Sequence, residues 1–214
     1  GFAESYMAGE WDSPDVAAVL RFFSANADTV SRQPRGLRGA LAGTTDRVRH
    51  VLRRNTLVGS RRNIGAHYDL GNDFFRLFLD QETLAYSCGI HRTPDETLAQ
   101  AQFNKFDRIL ELAQIGKGDH VLEIGCGWGG FALRAAQTTG CRVTAITISQ
   151  EQFAHVRAAI DRAGLGDRID LRLADYRAIE GRYDKIVSIE MLEAVGHRYL
   201  PLYFQRIDDL LAPD

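Results

Sequence analysis

At 214 residues, 45% hydrophobic and 25% charged, the chain is long enough to bury one sizeable core and part of a second. A formal net charge of −2 and no apolar run of membrane-spanning length exclude a membrane-embedded protein and one that is basic throughout, so a cytoplasmic enzyme is expected. The three cysteines (Cys88, Cys126 and Cys141) are odd in number and lack C-x-x-C spacing, which argues against a disulfide framework and a zinc site.

In chain order, Pro14 to Ala25 reads as a helix with proline in its first turn and Val16, Val19, Leu20 and Phe23 on one face. It is expected to close a small helical N-terminal domain, residues 1–60, ahead of a second domain, residues 61–214. The boundary is an Arg- and Gly-rich stretch, residues 32–63. Nine arginines fall there (32, 35, 38, 47, 49, 53, 54, 61 and 62) against one acid, Asp46. No Phe, Tyr or Trp interleaves them, so a base-stacking platform is missing and nucleic acid is not the expected partner.

Val121 to Ile124 reads as a short apolar strand running into Gly125-Cys126-Gly127-Trp128-Gly129-Gly130, with a helix from Phe131 to Gln137. Arg142 to Ile148 is a second, β-branched strand. Gln150 to Ala163 follows as a helix, capped by Ser149 with Gln152 completing a capping box, and closed by Gly164-Leu165-Gly166. Arg168 to Leu173 and Tyr183 to Ile189 read as the third and fourth strands, and Leu200 to Leu211 as an amphipathic helix stopped by Pro213. Such alternation predicts a parallel sheet with right-handed crossovers, and in such sheets ligands bind beyond the carboxyl ends of the strands.

Those strand ends carry the candidate site. Glycines at 125, 127 and 129 permit turn conformations and a close ligand approach, and the helix start behind them offers unpaired N–H groups. The spacing is G-x-G-x-G rather than G-x-G-x-x-G, and Glu123 beside it would repel a phosphate. A ligand bearing both a carboxylate and an ammonium fits better, and S-adenosylmethionine (SAM) is such a ligand. Thr147 and Gln152 after the second strand suit ribose hydroxyls. Asp175 after the third suits the adenine amino group, and Tyr176 can stack on the base. Glu190 and Glu193 follow the fourth. The fold expected is therefore α/β, a Rossmann-like class I SAM-dependent methyltransferase core.

His67-Tyr68-Asp69-Leu70, Tyr86-Ser87-Cys88, Gln102-Phe103-Asn104-Lys105, Glu123-Ile124-Gly125-Cys126-Gly127-Trp128-Gly129 and Ser188 to Gly196 occur in that order. Together with Tyr6 to Asp15 they resemble the cyclopropane-fatty-acyl-phospholipid synthase family over nearly the whole chain. The resemblance implies transfer of the SAM methyl carbon to the double bond of unsaturated phospholipid acyl chains. A carbocation forms on the way to a cyclopropane or methyl-branched product, with bound bicarbonate as base. It implies Glu193 and Cys88 at the catalytic centre, Tyr86 and Ser87 near the methionine part of SAM, and Tyr68 in the acyl pocket. It also implies that the N-terminal domain aids lipid docking or dimer formation, with a homodimer expected; beside a lipid-modifying core, the arginine-rich segment is expected to contact the anionic inner membrane surface. A different small-molecule acceptor, or a non-catalytic SAM- or lipid-binding subunit, are the alternatives.

Two residues depart from the family pattern: Ala194 stands where many members have His, and Glu190 where they often have Gly. Both leave the choice between ring and methyl branch open. Only four strands are read where that fold usually has seven, so the chain is expected to be part of a longer protein.

Overall fold

The computed structural model describes residues 2–27 and 71–213; His67, Tyr68 and the arginine-rich run lie outside them. The chain divides into two compact units, Gly1–Leu52 and Arg53–Asp214. In the first, α1 (Phe2–Met7) and α2 (Val16–Ala25) are described. Pro14 lies outside α2, because Asp15 is the cap: its side chain accepts from Ala18 N–H at 2.8 Å. Phe2 stacks on Trp11 at 4.5 Å between ring centroids, and the Trp11 indole N–H donates to the Phe2 carbonyl.

The second unit begins, among the described residues, with α3 (Gly71–Arg76), followed by α4 (Leu98–Leu112). Thr97 caps α4 in a reciprocal capping box with Gln100. Then come β1 (His120–Ile124), α5 (Gly130–Thr139), β2 (Arg142–Thr147), α6 (Gln150–Ala163), β3 (Ile169–Leu173), β4 (Lys185–Val187), α7 (Leu192–Val195) and α8 (Leu200–Leu210). The four strands make one parallel sheet in the order β3-β2-β1-β4, with Leu122 opposite Thr144 and Ile186. This is the doubly wound core read from the sequence.

β1 and β2 are buried on both faces, which is why they are nearly continuous apolar runs. Val121, Val143, Ile169 and Val187 pack with Phe106 of α4, Phe131 of α5 and Val156 and Ile160 of α6. Leu122, Ile124 and Ile146 face the other way, toward Val195, Tyr203 and Leu210. By the two-residue strand period, Glu123 shares the Val121 side.

The structure departs from the sequence reading at several points. β4 is shorter, because Tyr183 leaves the ladder to make a parallel bridge with Leu211 at the end of α8. Ser149 caps α6 as expected, yet Gln152 does not close the box: its side chain accepts from the Thr147 hydroxyl at 2.7 Å. α4 itself was not among the elements read. Among the described residues no helix is long and apolar enough to cross a membrane.

Candidate active site

The carboxyl ends of β1, β2, β3 and β4 open into one cavity of about 960 Å³. Gly125, Gly127 and Gly129 have φ of +79°, +54° and +87°, the left-handed region open to glycine. At Gly129, the residue before α5, an added Cβ would lie 2.9 Å from Val156 Cγ1. The turn thus brings α5 against α6 and points the first-turn N–H groups of α5 at the cavity.

Glu123 lies under this turn, 3% exposed. Ala132 N–H in the first turn of α5 donates to its carboxylate, while Oε2 is buried with no hydrogen-bond partner among the described residues. Burial pushes its pKa up to about 8, against partial relief from the Ala132 bond and the Lys105 charge. A cationic nitrogen reaching Oε2 would satisfy an acceptor that the described residues leave open.

Thr147 and Gln152 line the next stretch of wall. Both are buried, and they are bound to each other. Beyond them, Asp175 is 3% exposed and Arg177 15%. One Asp175 oxygen accepts from Arg177 N–H at 3.0 Å and Nε at 2.8 Å, the other from an Arg177 terminal nitrogen at 2.6 Å. The carboxylate proposed for adenine is therefore already an ion-pair partner. The neighbouring Tyr176 ring packs edge-on against Tyr203 at 5.2 Å.

The remaining wall comes from the loop before α4 and from the β4 end. Tyr86 belongs to an aromatic cluster with Phe75, Phe78 and Trp128, with ring centroids 4.8 to 5.9 Å apart. Ser87 is held by α4: Gln102 Nε2 donates to its carbonyl at 2.7 Å, and Lys105 Nζ donates to its hydroxyl and to Gln102 Oε1. Lys105 is only 5% exposed, and burial pulls its pKa below the usual lysine range. Glu193 sits in the first turn of α7, solvent-accessible at the cavity wall, with Ala194 beside it. Gly129 and Cys88 do not line the cavity; Cys88 is an exposed free thiol at its rim. Among the described residues no cluster suited to a metal ion occurs.

Sequence reasoning passed over Lys105, Gln102, Arg177 and Trp128 as site residues. For Gln102 and Lys105 a signal existed, because their i, i+3 spacing puts both on one helix face.

The family model described as mycolic acid cyclopropane synthetase matches residues 56–214. Tuberculostearic acid methyltransferase UfaA1 of Mycobacterium tuberculosis is 43% identical over 220 residues, which cover 100% of this chain and 50% of that protein. Cyclopropane-fatty-acyl-phospholipid synthase of Escherichia coli is 35% identical over 218 residues, covering 100% and 53%. Among solved structures, mycolic acid cyclopropane synthase CmaA1 complexed with SAH and CTAB superimposes with a TM-score of 0.69 at 36% identity, covering 72% of this chain and 54% of that one. The chain spans about half the length of the curated relatives it matches.

Proposed function

The chain belongs to the mycolic acid cyclopropane synthetase family, and from that premise we propose that it carries the SAM-binding half of an enzyme that methylates the double bond of unsaturated acyl chains. The observation that supports this most is the buried, unpartnered Glu123 Oε2 beside the glycine turn, an acceptor matched to the ammonium of SAM. The Thr147–Gln152 pair and Asp175–Tyr176 line the same cavity and offer polar groups and a ring suited to a nucleoside. Tyr86, Ser87, Gly125 and Gly127 complete the proposed cofactor contacts, while Gly129 serves the turn from outside the cavity lining.

Bound SAM supplies an electrophilic sulfonium methyl. An alkene is a weak nucleophile, so the protein's share is alignment and dryness. Phe78, Leu84, Phe106, Trp128, Phe131 and Ile189 give the cavity a largely hydrocarbon lining that suits an acyl chain and keeps water from a cation. Ring closure then needs only a base to take a proton from the added methyl, whereas a saturated methyl branch needs a hydride from a separate donor. The described residues do not make a cradle for bicarbonate. Cys88 N–H and thiol are both engaged by Glu190, and Glu193 brings a further carboxylate to that rim. Proton removal is therefore not assigned to that anion, and Glu193 is the candidate group at the reacting end.

Expression in a bacterium lacking its own cyclopropane synthase, followed by fatty-acid mass spectrometry, tests this reading. Acyl chains should gain one CH2 unit at the double bond, and Glu193→Gln should reduce the gain by about 10²-fold or more. Unchanged lipids, with the protein folded and SAM bound, would instead favour another acceptor or a non-catalytic subunit.

The finer readings concern presentation of the lipid. The nine arginines between Arg32 and Arg62 suit the anionic heads of a phospholipid surface, each worth roughly 1 kcal/mol near it and less as salt rises. Sedimentation with anionic vesicles should fall with salt and with Arg→Ala changes at 49, 53 and 54. Binding insensitive to both would remove this docking mode. A homodimer would carry two such segments.

A further inference from the structure

Glu190 follows β4 with φ +47°, a left-handed conformation that strains a residue with a side chain. Its carboxylate reaches a loop 102 residues earlier in the chain: Oε1 accepts Cys88 N–H at 2.8 Å, and the Cys88 thiol bonds the same carboxylate. The loop is fixed from its other side by α4. Gln102 and Lys105 hold Ser87, and Gly89 passes so close that an added Cβ would lie 2.8 Å from Ala101 Cβ. The Tyr86–Gly89 segment is thus clamped between a buried ammonium and a carboxylate held in a strained backbone.

We propose that Glu190 is a positioning residue of this active site: it docks the Cys88 loop onto the end of β4 through the hydrogen bond from Cys88 N–H. The electrostatics run the same way. The Glu190 hydrogen bond and charge raise the thiol's pKa above its ordinary value, with Lys105 opposing, while the same bond holds Glu190 below the usual carboxylate range. A neutral thiol matters where an electrophilic methyl must reach an alkene, since a thiolate at the rim would compete for it. This last point rests on the proposed acyl methylation; the clamp does not.

The test is the pH dependence of iodoacetamide alkylation in the cofactor-free protein, with Cys88→Ser identifying the reactive thiol; Cys126 and Cys141 are buried. Glu190→Gln should alkylate several-fold faster than the unmodified protein near neutral pH. Glu190→Gly, which relieves the backbone and so guards against misfolding, should do the same. Turnover should show a fall in kcat exceeding any rise in KM for SAM. Equal alkylation rates in all three proteins, or none in any, would overturn the proposal. Accelerated alkylation in a protein that never modifies lipids would uphold the clamp and sink the acyl-methylation reading instead.

Discussion

Glu123→Gln should make the cofactor-free protein more stable at pH 8 and nearly unchanged at pH 5, while weakening SAM binding. Burial raises the carboxyl from its ordinary value of 4.5 to about 8 in the fold. Below 4.5 both folded and unfolded states hold the proton, so this group makes no difference. As pH rises from there, the unfolded chain releases the proton and the folded one keeps it, so stability falls until the folded group also ionises near pH 8. A neutral amide of the same shape removes that loss. The gain should be at most about 5 kcal/mol at pH 8 and about 1 kcal/mol at pH 5. Urea unfolding at both pH values reads it, and an equal difference at each pH would contradict it. Binding reports the same carboxyl from the other side. An ammonium at Oε2 draws the group to its ionised form, so SAM binding near neutral pH should release a proton. Calorimetry in two buffers of different ionisation enthalpy detects this, and Glu123→Gln should abolish the buffer dependence and weaken binding roughly 10²-fold.

The second large effect is expected at Asp175. Its carboxylate and Arg177 form a mostly buried, doubly bonded pair, and it also caps the 3-10 turn Tyr176–Ala178. Asp175→Ala breaks this pair and should destabilise the protein by about 3–5 kcal/mol. It should also weaken SAM binding, because the turn that carries Tyr176 loses its cap. Adding Arg177→Met should restore much of the stability without restoring affinity. Additive losses in the double variant would show that the two charges do not depend on each other.

Why some of this site is legible in the sequence follows from topology. In a parallel sheet each strand ends at the same edge, so residues such as Thr147 and Asp175 can be placed together by finding the strands alone. Local grammar also carried far: Ser149 and Gly164 bound α6 at the positions their chemistry suggests. Tertiary competition defeated it elsewhere. Gln152 had a capping partner one turn away, and bonds Thr147 instead, because the strand end brings that hydroxyl closer. Tyr183 has the residue type of a strand yet pairs with Leu211, so β4 is cut short. Nothing local to Glu190 announces that it will take a glycine-like φ in order to reach Cys88. The Lys105 ammonium is likewise readable as an ordinary surface charge until α4 is packed.

The wall formed by Trp128 has an optical consequence. Trp128 and Trp11 are the two tryptophans of the sequence, and they belong to different units. Trp128 is 4% exposed, with its ring centroid 4.8 Å from that of Phe75, and it borders the cavity. Trp11→Phe therefore leaves a single indole at the wall of the ligand cavity. Its emission becomes a label-free gauge of what enters, sensitive to a hydrocarbon chain displacing water as well as to the cofactor.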